Sequence, residues 1–538
     1  MKIKAIVYPA EEGGYWAEVP ALADCFTDGE TMEEVVANLQ DAIQGWLEVA
    51  NNRQRMEPSQ PFKIARENYK PIMLIETLKT RRQNLAKLVD RPVILWSGDR
   101  PSRNFPANKY PFRASSHFLY FAGIPIPNAA IHLHQGKLTL FVDDPHAGSA
   151  LWHGESPTRE TLAQSMGADA AYPLSELLPI EFPSEMLVLK PSVWATDALT
   201  VGLIDKTRED QCYVLDRSVN TPNFPDEDDI ALANAIVTLR SQHDELALSE
   251  IRNAVKVTKD AHLAGMRSTQ NAKTEADIRA AMESVITRHN MTTAYNSIVT
   301  VQGEVLHSEQ YHHPIAPTDL ILADVGAETQ NGWAADVTRT WSASGKFSST
   351  QRDLYHVVLA AHDAAIAAVK PGVEYQDIHL LACHKLAEGL VDLGILNGDP
   401  ETLVDRDVHA LFFPHGVGHL LGLDVHDMED LGDRAGYESG RERSDRFGLG
   451  FLRLNRPLLA GMVVTIEPGF YQVPAILNNA ETREKYKDAV NWERLTQFND
   501  VRGIRIEDDV LVTTSGSEIL TQGIPVTIEE LESIGESV

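Results

Sequence analysis

The sequence predicts an α+β protein of several domains. Its 538 residues are enough for two to four units with sizeable cores. Between residues 241 and 538, amphipathic helical patterns interleave with strand-like runs, yet strand pairs also follow one another directly, which a simple alternating fold does not do. The composition, 43% hydrophobic and 23% charged, is that of an ordinary globular chain.

Four units are expected in order: 1–56, a linker 57–70, a domain 71–242 and a domain 243–538. In the first, runs 3–8 and 15–19 read as strands around the Gly13-Gly14 turn, and Cys25-Phe26 starts a third. Thr31 and Glu34 form a capping box, and the helix after it places Met32, Val35, Val36, Leu39, Ile43, Trp46 and Leu47 on one face. With Tyr15-Trp16-Ala17-Glu18-Val19-Pro20 and Cys25-Phe26-Thr27-Asp28-Gly29, this β-β-β-α order resembles the antitoxin-like HicB domain. That implies a protein-binding or oligomerising module; the DNA-binding extension of such antitoxins is not visible. The linker is polar and carries Pro58 and Pro61.

The domain 71–242 shows strand-like runs at 93–96, 130–134 and 138–142, the last two joined by a Gln135-Gly136 turn. Its aromatic residues cluster at 110–113 and 116–123, followed by Trp152, and such clusters are more often core than ligand site. In the last domain the helical patterns are 246–266, 275–289, 354–369 and 378–393. The strand-like runs are 297–301, 320–325, 463–466, 503–506 and 510–513, with charged surface insertions at 438–446 and 478–491.

Function classes narrow quickly. A net charge of −29 disfavours nucleic-acid or anionic-membrane binding. Cys25, Cys212 and Cys383 are scattered and odd in number, which points to a reducing, cytoplasmic setting and away from a cysteine-based zinc site. No signal peptide and no apolar run of membrane-spanning length is expected.

Three histidines, His415, His419 and His426, fall within twelve residues among glycines and aliphatics. The pair His415/His419 has the spacing of the zinc-protease helix motif, but Gly416 stands where that motif needs Glu, and two glycines disfavour a helix. The stretch therefore reads as strand or loop. Gly416, Gly418 and Gly422 have the wrong spacing for a dinucleotide fingerprint. Acids at apolar–polar junctions of strands match the histidines: Asp324, Asp336, Glu467 and Glu507. If they converge, desolvation and repulsion would protonate them unless cations share the site. Two divalent cations balance four carboxylates, and an oxygen-rich set with one imidazole suits Mn²⁺ or a similar metal. Such a pair can hold a bridging water and lower its pKa toward neutrality, giving a hydroxide suited to amide hydrolysis.

The runs Asp336-Val337-Thr338-Arg339-Thr340, His415-Gly416-Val417-Gly418-His419, Gly422-Leu423-Asp424-Val425-His426-Asp427, Glu467-Pro468-Gly469 and Arg505-Ile506-Glu507-Asp508 resemble those of the pita-bread dinuclear metallopeptidases, above all the Xaa-Pro aminopeptidase (aminopeptidase P) family. The resemblance spans residues 71–525. It implies a pita-bread catalytic domain, with Asp324 on one metal, Asp336 and Glu507 bridging both, and His419 and Glu467 on the second. It also implies a substrate-side His307, cleft histidines His415 and His426, Arg505 beside the bridging glutamate, and Glu467 as proton shuttle. The expected reaction is hydrolysis of the Xaa-Pro bond in peptides with proline second, by a metal-bridging hydroxide; a prolidase restricted to dipeptides and a non-catalytic relative are the alternatives. A homo-oligomer is the expected assembly. Regions 432–450 and 474–500 are longer than the family core needs.

Overall fold

The structure, a computed structural model, describes residues 70–177 (except 101, 106 and 147), 187–189 and 227–536, together with 6–9, 15–18, 26–29, 31, 34, 35 and 38. It divides into two compact units, Met1–Asn68 and Tyr69–Val538. The predicted linker residues 57–69 and the stretch 220–226 lie outside the described residues.

The first unit holds an antiparallel sheet of β1 (Ile6–Pro9), β2 (Tyr15–Glu18) and β3 (Phe26–Gly29) in sequential order. Glu34 N donates to Thr31 Oγ1 at 3.2 Å, and Val35, at the start of the helix that follows, is buried. Strands and helix start therefore lie where the alternation and the capping box put them.

In the second unit, α1 (Lys70–Leu88) begins at the predicted linker's end and was not read from the sequence. Its periodicity is blurred because two arginines turn inward: Arg82 donates to the carbonyls of Phe121, Met166 and Gly167, and Arg81 forks onto Asp244 at 2.8 and 2.9 Å. β4 (Val93–Gly98), α2 (Ser116–Ala122), β5 (Ala129–His134), β6 (Lys137–Phe141), α3 (Arg159–Met166), β7 (Ala170–Tyr172) and β8 (Leu187–Leu189) follow. The five strands form one sheet in the order β7-β6-β5-β4-β8. The β5–β6 hairpin turns on Gln135 and Gly136, with φ of 50° and 77°. All seven residues of α2 are buried, as the core reading of the aromatic cluster expects. Trp152 departs from that reading: it sits on a four-residue helix and is 79% exposed.

The earlier part closes with α4 (Glu227–Arg240), and the later part is built from α5 (Glu245–Ser268), α6 (Glu275–Arg288), β9 (Ile298–Thr300), β10 (Leu320–Asp324), β11 (Thr338–Ser342), α7 (Ser349–Ala368), α8 (Tyr375–Asp392), β12 (Val463–Ile466), β13 (Gly469–Tyr471), β14 (Gly503–Arg505), β15 (Asp508–Val512), β16 (Ser517–Ile519) and α9 (Ile528–Glu536). The four helical patterns read from the sequence are α5 to α8, each within a few residues of its predicted ends. Asp244 caps α5 by accepting from Ala247 N at 2.9 Å. The same carboxylate holds Arg81 of α1, so helix start and domain contact share one residue.

Antiparallel strands β9-β10-β11, β12-β15-β16 and β13-β14 make short sheets whose junctions carry the acids. Asp324 pairs with Thr338, and Gly469 with Arg505. Glu507 N donates to Thr338 O at 3.1 Å, which stitches the β14–β15 junction to the start of β11.

Candidate metal centre

The histidine stretch is neither helix nor free loop. Thr465 N donates to His419 O at 3.0 Å and Glu467 N donates to Val417 O at 2.8 Å, so the stretch lies along β12 as an extra edge. Gly418 makes this possible. Its φ is +155°, and a Cβ there would stand 2.1 Å from Thr465 O and 2.3 Å from Tyr375 Oη. Only glycine lets the two backbones come this close.

That pairing brings His419 beside the strand-end acids. One donor atom each from Asp336, His419 and Glu507 lie within 4.8 Å of one another, all three side chains being buried. His419 Nε2 is 3.3 Å from Asp336 Oδ2 and 3.6 Å from Glu467 Oε1. Asp324 joins through Tyr295, whose hydroxyl stands 2.6 Å from Asp324 Oδ1 and 2.6 Å from Asp336 Oδ1. On the far side Arg505 donates to Asp324 Oδ2 and, at 2.9 Å, to Thr338 Oγ1, which in turn donates to Glu507 Oε2 at 2.6 Å.

The electrostatics are severe. Burial, countered by Arg505, pushes Asp324 up to about 6. Burial likewise pushes Glu467 up to about 7 against the pull of His419. Burial and the Asp336 charge hold Glu507 well above the usual carboxylate range. Tyr295 sharpens the point: it has one hydroxyl proton, and both carboxylates stand at hydrogen-bond distance. Carboxylates so placed need protons or cations between them. Four acids with one imidazole, His419 Nδ1 facing Leu420 O at 3.0 Å and leaving Nε2 toward the acids, form a donor set that fits divalent cations.

The other predicted site residues are placed as follows. His415 is half-buried; its Nδ1–H donates to Gly416 O at 2.8 Å and its Nε2 accepts from Tyr471 Oη at 2.9 Å. Tyr471 Oη also accepts from Arg505 at 3.2 Å, so Arg505, Tyr471 and His415 form one chain of donors. Burial first, then the Arg505 charge, pushes His415 down to about 3, so it is neutral. His426 stacks edge-on to His419 with ring centroids 4.3 Å apart. Its Nδ1 lies 3.1 Å from Glu429 Oε2. With Glu429, Asp433, Arg443 and Arg453, these two histidines line an open, polar cleft. His307 is exposed in the loop after β9.

Sequence reasoning missed Tyr295, Thr338 and Asp509. Asp509 is fully buried behind the cluster and accepts from Asp336 N at 3.2 Å. Burial and the neighbouring Asp336 raise it well above the carboxylate range. The acid at 509 stands beside Glu507 and Asp508 in the sequence, and a fully buried acid in a strand was a usable signal. Tyr295 and Thr338 had none, since a lone hydroxyl near a strand is unremarkable.

Polar anchors from the domain that precedes fix the loop carrying His426. Arg240 of α4 donates to Asp427 Oδ1 at 2.6 Å, to Asp424 Oδ2 at 3.1 Å and to His117 Nδ1 at 2.8 Å. His117 Nε2–H then donates to Asp430 Oδ2 at 2.8 Å. Arg113 adds bonds to Glu328 at 3.1 and 3.2 Å and to Leu423 O. The predicted insertion 432–450 forms part of the cleft rim through Gly432, Asp433 and Arg443.

Comparison with known proteins places these observations in a family context. A family model described as metallopeptidase family M24 matches residues 249–514, and one described as aminopeptidase P, N-terminal domain, matches residues 78–183. The Xaa-Pro dipeptidase of Homo sapiens is 32% identical over 465 residues, covering 84% of this chain and 90% of that protein. A probable Xaa-Pro aminopeptidase of Talaromyces stipitatus is 31% identical over 436 residues, covering 79% and 88%. Among solved structures, aminopeptidase P from E. coli with the inhibitor Pro-Leu superposes with a TM-score of 0.67 at 26% identity, over 86% of this chain and 98% of that one. The aminopeptidase PepP of Pseudomonas aeruginosa gives 0.66 at 27% identity, with the same coverage of 86% and 98%.

Proposed function

The chain belongs to metallopeptidase family M24 and is a metal-dependent hydrolase of Xaa-Pro peptides, and from that premise we propose that it acts as an aminopeptidase, releasing the N-terminal residue from peptides with proline second. The observation favouring longer peptides over dipeptides is that the solved structures matched over 98% of their own length are aminopeptidases P. Arg453 donates to Glu429 at 2.6 Å, and Arg443 to Asp433 at 2.6 Å. A dipeptidase needs a cation to receive the carboxylate on its substrate's proline; Arg443 is forked onto Asp433, whereas Arg453 gives a single N–H to Glu429 and is the cation such a substrate would meet. The dipeptidase reading rests on the human dipeptidase being as similar in sequence as the fungal aminopeptidase.

In the proposed assignment Asp324, Asp336, His419, Glu467 and Glu507 would hold the cations, Asp336 and Glu507 being shared between them. Bound there, divalent cations, Mn²⁺ in our reading, supply the Lewis acidity that makes a water nucleophilic at neutral pH and polarises the scissile carbonyl. The chain's own residues do the rest. Glu467 accepts the proton of the attacking water and passes it to the proline nitrogen, a tertiary amide that must be protonated to leave. His426, on the cleft wall, donates to the oxygen on which charge develops, with His307 closing from the substrate side. His415 and Tyr471 keep Arg505 aimed at Asp324, which holds that carboxylate in place.

Cytoplasmic location, a homo-oligomeric assembly and a HicB-like interaction role for residues 1–56 belong to the same proposal. No helix among the described residues is long and apolar enough to cross a membrane. The deciding assay compares a Xaa-Pro-Pro tripeptide with a Xaa-Pro dipeptide on metal-loaded enzyme. Preference for the tripeptide is expected; cleavage of the dipeptide alone overturns the aminopeptidase reading. Glu467→Ala should abolish hydrolysis of either substrate while leaving the thermal transition cooperative, and turnover near the parent's would remove Glu467 from the proton path.

A further inference from the structure

A second cluster of ligand-type side chains lies outside the carboxylate site. His379 and Cys383 stand one turn apart on α8, and His409 opens the short 3₁₀ turn His409–Leu411. One donor atom from each lies within 4.8 Å of the others. Cys383 Sγ is 3.5 Å from His379 Nε2. His379 and Cys383 are wholly buried and His409 is 2% exposed.

This cluster is poor in partners where partners are required. Both ring nitrogens of His409 and Nδ1 of His379 are buried without a hydrogen bond. A neutral imidazole always carries one N–H donor and one lone pair, so His409 leaves both unsatisfied, which burial makes costly. A purely apolar role would be filled more cheaply by Leu or Phe. Burial raises the Cys383 thiol and lowers both histidines, to about 3 and about 4, so all three present neutral donors.

We propose that His379, Cys383 and His409 form a three-donor site for a single thiophilic d¹⁰ cation, Cu⁺ or Zn²⁺, separate from the dinuclear centre. A thiolate with two imidazoles is a soft set that the hard cations preferred by the carboxylate cluster do not favour. On binding, the Cys383 thiol loses its proton to solvent and the sulfur binds the cation. Charge balance favours Cu⁺: one thiolate and one monovalent ion leave a neutral buried centre, and Cu⁺ is content with three soft donors. Zn²⁺ leaves a net positive charge and needs a fourth ligand. Asp407, the acid whose charge acts on His409, is turned to Arg446 at 2.7 Å.

The cation would tie α8 to the segment that leads into the catalytic histidines. Phe413 bridges the two, its ring 5.7 Å from His379 and 4.7 Å from His415. The site is therefore a structural clamp on the strand edge that carries His415 and His419.

The test uses the full chain with its carboxylate site saturated with Mn²⁺, equilibrated in separate arms with Cu⁺ under reducing conditions and with Zn²⁺, then desalted and analysed for metal. One retained equivalent in either arm, lost in Cys383→Ser, supports the proposal and names the cation. Equal retention by parent and Cys383→Ser, in both arms, overturns it. Should that variant fail to fold, Co²⁺ provides an independent reading. A thiolate-to-cobalt charge-transfer band, or one retained Cu⁺, is expected in a Cys25→Ser/Cys212→Ser double variant, where Cys383 is the remaining thiol; absence of both there overturns the site. Peptidase activity, measured in parallel, separates this outcome from failure of the functional proposal.

Discussion

Tyr295 sets one hydroxyl proton between two carboxylates, and the arrangement makes a clear prediction. Tyr295→Phe removes that proton and leaves Asp324 and Asp336 to repel one another directly. The variant is expected to hold divalent metal about 10-fold or more weakly, the order seen when a ligand's supporting hydrogen bond is lost, with little change in fold stability. Isothermal titration with Mn²⁺ measures it. A second prediction concerns pH. Asp324 and Glu467, raised to about 6 and about 7, bind their protons more tightly in the fold than in the unfolded chain. In the metal-free protein they favour the fold at low pH, and that contribution is lost as pH rises through those values. Cations need the deprotonated forms. Added metal should therefore raise Tm more at about pH 8 than at about pH 5.5, as differential scanning calorimetry can check.

At the scale of elements, the critical contact is the histidine stretch against β12. Gly418→Ala puts a methyl into Thr465 O and the Tyr375 hydroxyl, both too well packed to yield. A loss of about 3 kcal/mol or more is expected, seen as a lower urea midpoint, with activity falling because His419 is displaced. The same element shows what the sequence made readable. Two glycines ruled out the zinc-protease helix and implied close backbone approach, which the Gly418 contacts now explain. The helices α5 to α8 were legible because their apolar residues recur at helical spacing without interruption. α1 was not, because Arg81 and Arg82 face inward and are satisfied by carbonyls and an acid far along the chain. Asp324, Asp336, Glu467 and Glu507 were legible as acids out of place in apolar strands. Tyr295 and Thr338 became part of the site only through contacts across the sheet junctions, which no local pattern encodes.

Across the whole second unit, buried charge joins what the sequence divides into 71–242 and 243–538. Arg240 is buried among Asp424, Asp427 and His117. Arg240→Met leaves Asp427 buried and unpaired, a change expected to cost about 3–5 kcal/mol. The loop bearing His426 should loosen with it, so kcat/KM should fall even where the protein remains folded; steady-state kinetics together with thermal melting separate the two effects. The aromatic cluster at 110–123, read from the sequence as core, supplies that core and also the polar grip of Arg113 and His117 on residues 423–430. That double duty was invisible because its partners lie some 300 positions away.

The bonds from Arg81, Arg113, His117 and Arg240 to acids and carbonyls of the later half bear on any attempt to cut this protein at its apparent seam. A fragment starting near residue 243 would contain every proposed metal ligand, yet Asp244, Glu328, Asp427 and Asp430 would all be bereft of their bonding partners at once. The hydrolytic machinery is thus written in one half of the chain and kept in shape by the other, and neither half is a portable module.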